Sequence, residues 1–534
     1  MKWFWESQRD GERDRYGSRS GSPAEHDSDS RERGDRAPDE HTRLLPNRVD
    51  SGIPYLSPDD PAVSPYNLWT VRLVRRITVL LAVITFLCWI VQLASAFVTL
   101  PGFHSRGGGF FGFVYVSLAL VTLVISLIFF SVPSKSARIL SIVMAVLLLV
   151  QTIIILAVEK TRHEEAWVGV ASVVWVLLIS IWDLVAGSIV QRGKTEEEER
   201  LTGRSESRRT LLEWTGVTLS TVALFVMTLV LVLMSCNLII RAVDAGLAPP
   251  GGLYWVDDDK YQIHVYCRGN ETNSDGEKVP TVLFEAGEDP VEWGLWQFAD
   301  NALQNGSISR YCFADRSGVA WSDAAPSPLS ASMASDALGE ALARAGEKGP
   351  WILASAGIGS IYSRIFSSRH GREVEAILMI DPLHEDLLYR VGRPGRGFLL
   401  WLQGVISPLG LERVSGSLFK GRNRVDRVWG RSAYQSGKTI FGKLQESLVA
   451  DSLTKREAIS SRAIQYQDTP VVVISSGVKL RRDSEWEEKQ RDLTHLTRNL
   501  EDWDIVEKAP HQVWRTLEGR EQIEKRLKKL AHRG

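Results

Sequence analysis

Five stretches of about 20 apolar residues, at approximately 77–99, 110–130, 138–158, 167–190 and 215–240, constrain this 534-residue chain more than anything else in it. About 20 residues is the length at which a helix crosses roughly 30 Å of hydrocarbon. Any one of the five could be the buried helix of a soluble core, but five in succession read as a transmembrane domain over 71–245. The second stretch follows the glycine run Gly107 to Gly109, and the third stops at Glu159 and Lys160.

Basic residues are retained on the cytosolic side of a membrane, so their distribution sets the orientation. Arg72, Arg75 and Arg76 precede the first stretch, and the fourth loop carries Arg192, Lys194, Arg200, Arg204, Arg208 and Arg209. The first and third loops offer only Arg106 and then Lys160 with Arg162. The N-terminus is therefore expected in the cytosol, and an odd number of spans sends everything after about residue 241 to the extracytosolic face. Two sequons, at Asn270 and Asn305, lie in that C-terminal part and fit glycosylation there.

Residues 1–70 are rich in Arg, Asp, Glu, Ser, Gly and Pro and poor in aliphatic clusters. Such a segment buries too little apolar surface to offset chain entropy and is expected to be a disordered cytosolic tail. Within it, Glu40 stands ahead of the pair Leu44-Leu45 and resembles the acidic dileucine signal that sorts membrane proteins to vacuoles and lysosomes. An accidental leucine pair is the plain alternative. The opening MKWFWESQRD turns acidic before any apolar run, which argues against a cleavable signal peptide and against a mitochondrial presequence. A multi-pass protein of the endomembrane system follows, with the vacuolar membrane favoured over the mitochondrial one.

From about 253 to 534 the pattern changes to short β-rich runs, YQIHVYC, TVLFEAG, SRYCFAD, WILAS, AILMID and VVVIS, alternating with helical stretches such as 333–346. That alternation predicts an α/β domain around a largely parallel sheet. The runs EAG (285–287), DRSGVAWSD (315–323) and DPLHED (381–386), in this order around a strand, turn and helix at 351–364, resemble the α/β-hydrolase superfamily. The similarity covers roughly 253–534, and multi-spanning fungal proteins, some labelled mitochondrial integral membrane proteins, are similar over the whole length. The resemblance implies an α/β-hydrolase-like fold with a lid at about 387–469, and a serine nucleophile on a sharp turn.

The serine is not where the resemblance puts it. Family members place the nucleophile eight positions after the glycine of a Gly-Pro pair and 24 positions before the D-P aspartate. Counted from Gly349 and from Asp381, both spacings fall on Gly357. Glycine has no nucleophilic atom, yet it tolerates the backbone that such a turn needs. The alternative nucleophile is Ser355, two residues out of register and preceded at 353 by Leu where the elbow has Gly.

The remaining parts of a hydrolytic site are partly present. His511 stands where the family has its base, and Asp381 or Asp483 is the candidate acid. The resemblance assigns the oxyanion hole to the backbone N–H of Ile358 and of the Gly287–Glu288 region, where Glu288 and Asp289 replace small residues. Carboxylates there oppose a developing oxyanion. Cys267 and Cys312 fall on strands that are neighbours in the superfamily's order, so that a disulfide is expected, with two buried thiols as the alternative.

FLLWLQGVISPLGL, within the insert, is apolar enough to cover a pocket or touch a bilayer, and a packed helix is its bland counterpart. Ser436-Gly437-Lys438-Thr439 lacks the glycine spacing and the preceding strand of a phosphate loop. Asp183, alone within a span, is costly there and marks either a functional acid or a helix contact. The expected protein is a pseudoenzyme that binds a lipid or acyl ligand, or a membrane partner, without cofactor, metal or nucleic acid. The competing expectation is an active serine esterase or lipase using Ser355 with His511, and a transport or receptor module ranks last.

Overall fold

The computed structural model describes residues 65–130, 134–202, 211–273 and 276–532. The expected tail up to residue 64, with Glu40, Leu44 and Leu45, lies outside the described residues.

Among the described residues five helices are long and apolar enough to cross a membrane: α1 (Trp69–Ser95), α2 (Phe110–Ile128), α3 (Lys135–Ala157), α4 (Glu159–Thr202) and α5 (Leu211–Asp244). The expected spans sit on them, displaced where polar residues continue the helix. α1 starts at Trp69, ahead of the anticipated 77, because Arg72, Arg75 and Arg76 are good helix formers and simply extend it. α4 breaks at Ala166, which takes a left-handed φ of +53°. The segment 159–165 is thereby a separate short helical piece, and the apolar stretch expected from 167 begins directly after the break.

The bundle packs around residues such as Tyr115, Leu148, Val176 and Leu231. A polar cross-link runs through it: Tyr115 Oη donates to Gln151 (2.7 Å), whose amide reaches the Leu231 carbonyl and Ser235. In hydrocarbon such groups must find partners inside the protein. Asp183 accepts from Ser141 on α3 at 3.1 Å, which places it against a neighbouring helix.

The domain that follows is built on one eight-stranded sheet: β1 (Gly252–Val256), β2 (Tyr261–Gly269), β3 (Thr281–Glu285), β4 (Arg310–Ala314), β5 (Trp351–Ala356), β6 (Val374–Ile380), β7 (Val471–Ser476) and β8 (Leu500–Val506). The spatial order is β1-β2-β4-β3-β5-β6-β7-β8, with β2 antiparallel to its neighbours and β3 to β8 parallel. This is the α/β-hydrolase order. Helices cover both faces: α6 (Leu295–Gln304), α7 (Ala331–Arg344) and α8 (Gly359–Arg369), then the insert helices α9 (Pro394–Ile406), α10 (Leu411–Phe419), α11 (Arg424–Val428), α12 (Gly437–Val449) and α13 (Lys455–Ala463), and finally α14 (Gly477–Arg482), α15 (Ser484–Leu493) and α16 (Leu517–Ala531). The strands β3, β4, β5 and β7 are buried at every position, which is why their sequences run continuously apolar instead of alternating.

Two strands went unanticipated, both at sheet edges. β8 reads LEDWDIV, and its Asp502 and Asp504 face α16, where Arg526 pairs with both. An edge strand that carries charge toward a covering helix shows no apolar signature. In the β2–β4 pair Cys267 stands directly opposite Cys312, and a disulfide joins them.

The domain sits on one end of the bundle. That end is formed by the loop between α1 and α2, the start of α4 and the end of α5. Thr99 exchanges hydrogen bonds with Ser327 (2.7 and 2.8 Å), Arg106 Nε donates to the Lys260 carbonyl (3.0 Å), and His163 contacts Asp323 at 2.9 Å. Asp244 at the end of α5 receives the guanidinium of Arg427 at 2.7 Å. Within the DRSGVAWSD segment, Asp323 and Trp321 thus meet the start of α4 through His163 and Lys160.

The insert docks as well. α9 lays Trp401 against Phe97 and Phe113, and Gly404 lies so close to Phe110 that a Cβ would penetrate the ring. Phe398, Leu399 and Leu402 on α9 remain exposed. Gly404→Ala is expected to destabilise the full-length chain by about 1–3 kcal/mol through overpacking against Phe110, read as a lower melting temperature in detergent. Gly395→Ala on the same helix, where a Cβ meets open space, should leave it unchanged or slightly raised.

Candidate functional site

The strand β5 enters α8 through Gly357, whose φ of +50° is one that side chains rarely adopt. Hydrogen bonds fix the turn: Gly357 N–H donates to the Ile380 carbonyl at 3.1 Å, and its carbonyl accepts from Leu383 N–H at 2.9 Å and from the Ser360 hydroxyl at 2.8 Å. At Gly359, the last residue of the elbow, any Cβ would collide with the Ala286 carbonyl. Glycine is required there for the helix to cross the sheet this closely.

Position 357 faces the histidine. A Cβ built on Gly357 would lie 3.1 Å from His511 Nε2 and 3.0 Å from Glu288 Oε2. The structure thus puts Gly357 where a nucleophile would stand and fills the adjoining space with a carboxylate. Ser355 is elsewhere: it sits within β5, between Glu285 and Met379 of the flanking strands, is fully buried, and its hydroxyl makes no hydrogen bond among the described residues. Ser360 is spent on the turn itself.

His511 lies between two carboxylates. Its Nδ1 is 2.5 Å from Asp381 Oδ2 and its Nε2 is 3.2 Å from Glu288 Oε2. Of the two candidate acids, Asp381 is the one on the histidine. Asp381 is fully buried at the end of β6, and its other oxygen accepts from Ser476 N–H (3.1 Å) and Trp486 Nε1–H (3.0 Å). Asp483 is turned away, because it caps α15 through Trp486 N–H (3.1 Å) and pairs with Arg390. Lys479 completes the group, 3.3 Å from His511 Nδ1, 3.9 Å from Asp381 Oδ2 and 3.1 Å from the centre of the Trp486 ring. Neither Lys479 nor Trp486 carried any signal in the sequence.

These partners set the charges. Burial alone would lower the pKa of His511, but the hydrogen bonds to Asp381 and Glu288, with their charges, raise it to about 9. Burial would raise Glu288, and the hydrogen bond and charge of His511 hold it at about 2 instead. The result at neutral pH is an imidazolium donating to two carboxylates. An imidazolium has no lone pair with which to deprotonate a hydroxyl. Glu288 also accepts its own backbone N–H, so its carboxylate occupies one of the two donors expected of an oxyanion hole. Ile358, the other, is buried at the elbow. Asp289 accepts from Gln512 and lies 3.6 Å from Arg515, which ties the β3 loop to the segment carrying His511.

The other family motifs hold structure. Burial pushes Glu285 of EAG up to about 8, and Arg316 of DRSG stands 3.7 Å away. In DPLHED, His384 contacts Asp492 at 2.8 Å, and Glu385 receives Arg364 at 2.7 Å and Arg462 at 3.2 Å. Asn270 and Asn305 are exposed, and Asn305 donates to Glu524 at 2.9 Å.

Comparison with known proteins gives a family region, two fungal relatives and a set of solved folds. A region of unknown function, DUF2417, matches residues 40–267. A Schizosaccharomyces pombe protein named only as uncharacterised is 31% identical over 93% of this chain and 98% of its own length. A Saccharomyces cerevisiae protein named as an uncharacterised vacuolar membrane protein is 25% identical over 61% of this chain and 59% of its own. Among solved structures, a Nitrososphaera carboxylesterase covers 53% of this chain and 100% of its own at 12% identity and TM-score 0.39. The Bombyx mori juvenile hormone epoxide hydrolase covers 51% and 76% at 16% identity and TM-score 0.37. Likenesses at that level carry no chemistry, and the fold rests on the strand order.

The charge state is testable. Since His511 is raised above its unfolded value, its contribution to stability is complete below about pH 6.5 and is lost as pH rises through about 9. Glu288 is depressed, so its contribution is complete above about pH 4.5 and is lost as pH falls toward 2. The melting temperature of Glu288→Gln should therefore fall furthest below the parent's between about pH 4.5 and 6.5, with the gap closing above pH 9. A gap independent of pH would contradict the pairing.

Proposed function

This chain belongs to the family of the fission-yeast protein, and from that premise we propose that it is a non-hydrolytic protein of the vacuolar membrane. Its extracytosolic α/β-hydrolase-like domain acts by binding a lipid or acyl ligand, or a membrane partner. The observation that carries the silence of the elbow is the triple contact at position 357: no side chain at the nucleophile's place, and the Glu288 carboxylate in the adjoining space, bonded to His511. Each of the three departures would impair acyl transfer by itself. Without a nucleophile no acyl-enzyme forms, a protonated histidine cannot serve as general base, and a carboxylate at the oxyanion donor repels the charge that develops.

Three further features support the placement and the ligand class. The vacuolar assignment is supported by the name of the budding-yeast relative. An oxidising extracytosolic compartment suits the Cys267–Cys312 disulfide. Binding of a lipid is supported by α9, whose exposed Phe398, Leu399 and Leu402 adjoin the spans to which the same helix is docked.

The experiment is fluorophosphonate labelling of the full-length chain in membranes. The parent should remain unlabelled, and so should Ser355→Ala. Gly357→Ser should label weakly while Glu288 blocks the hydroxyl, and Gly357→Ser combined with Glu288→Ala should label more strongly, by about tenfold or more. A labelled parent whose signal disappears in Ser355→Ala would overturn the proposal and establish an esterase with a displaced nucleophile.

A further inference from the structure

Where the bundle meets the domain, the start of α4, the end of α5 and the insert enclose a cavity of about 250 Å³. None of the elbow residues lines it, so a ligand held there is independent of whether the elbow is silent. The cavity wall carries three carboxylates, and each already has a cation. Glu164 is bound by Arg241 at 2.7 Å, Asp244 by Arg427 at 2.7 Å, and Glu412 by Arg422 at 3.4 Å.

Three cations on the same wall have no carboxylate within ion-pair distance among the described residues. They are Lys160, Arg413 and Lys438. Each is instead steadied by a neutral group: Lys160 lies 5.0 Å over the Trp321 ring, Arg413 donates to the Arg427 carbonyl at 3.3 Å, and Lys438 donates to the Ala320 carbonyl at 2.9 Å. Burial and the charge of Arg241 lower the pKa of Arg413 to about 10, with Asp244 and Glu164 offsetting this only in part. Helix α12 also begins at this wall, with Ser436 as its cap and Gly437 and Lys438 as its first residues. The partial positive charge of a helix start adds to the three cations.

Asn237, 3% exposed, lines the same space. Its amide nitrogen donates to the Pro408 carbonyl, while its Oδ1 has no partner. An acceptor left empty beside cations that have no carboxylate within ion-pair distance suits a ligand that has both negative charge and a hydrogen-bond donor such as a hydroxyl. Two residues of the wall, Ile406 and Leu411, are apolar and exposed, so the cavity opens past greasy side chains at the level of the span ends.

We propose that this cavity binds the phosphate headgroup of an anionic, hydroxyl-bearing phospholipid from the extracytosolic leaflet, with Lys160, Arg413 and Lys438 around the phosphate. A headgroup hydroxyl donates to Asn237, and the acyl chains leave past Ile406 and Leu411 into the bilayer. The SGKT segment contributes as the start of a helix beside a cation cluster, without the backbone of a nucleotide phosphate loop.

The test titrates the purified full-length chain, in uncharged detergent, with fluorescent phosphatidylinositol, using phosphatidylcholine as the zwitterionic comparison and inorganic phosphate as the soluble source of the same group. Phosphatidylinositol is expected to bind about tenfold or more tighter than phosphatidylcholine, and Arg413→Gln and Lys438→Gln are each expected to weaken it about tenfold. Lys525→Gln, exposed on α16, should not. Equal affinity for the two lipids, or an equal loss in Lys525→Gln, would overturn the proposal, and phosphate that binds where phosphatidylinositol does not would overturn the lipid source. Should a variant fail to fold, acetylation of Lys160 and Lys438 in the parent replaces it: protection by phosphatidylinositol supports the site, and unchanged reactivity overturns it.

Discussion

The parity of the long apolar helices governs this structure. Among the described residues five helices are long and apolar enough to cross a membrane, and with that odd number the loop after α1, the start of α4 and the end of α5 all lie at the end of the bundle that holds the C-terminal domain. Those three segments contact it through Thr99, Arg106, His163 and Asp244. Had the chain crossed an even number of times, the domain could not have met these loops. The contacts of the folded domain place those three segments at one end of the bundle, and the charge asymmetry of the flanking arginines is the separate basis for expecting that end on the extracytosolic face.

On that platform the domain keeps the geometry of a hydrolase and rearranges its charges. The elbow survives because its demands are on backbone, met by Gly357 and Gly359 and by hydrogen bonds from the neighbouring strands. His511 is held between Asp381 and Glu288 as a cation that staples the β3 loop to the segment after β8. A serine at 357 would compete with Glu288 for the same ring nitrogen.

Much of this was legible in the sequence. The five spans announce themselves because hydrocarbon demands long unbroken apolar runs, and the central strands because full burial on both faces makes them continuously apolar. Two spacings carried by the family resemblance converge on Gly357, and the structure puts that residue opposite His511. What escaped depends on side chains meeting across the fold. Asp381 and Asp483 could not be ranked as the acid until their neighbours, His511 for one and Arg390 for the other, were in place. Glu288 was recognisable as hostile to an oxyanion, but nothing in the chain announced that it would bond the histidine. The edge strands β1 and β8 were missed because exposure and charge erase the apolar signal. The cavity at the bundle end is assembled from α4, α5, α10 and the start of α12, which lie far apart in the chain, and no local pattern records it.

The central claim is that the hydrolase-like domain forms no acyl-enzyme, and the most direct measurement is intact-mass analysis of the full-length parent after incubation with an excess of p-nitrophenyl butyrate. The account predicts an unmodified mass and no p-nitrophenol release above that of buffer. A butyryl adduct on any serine of residues 253–534, accompanied by turnover, would contradict it.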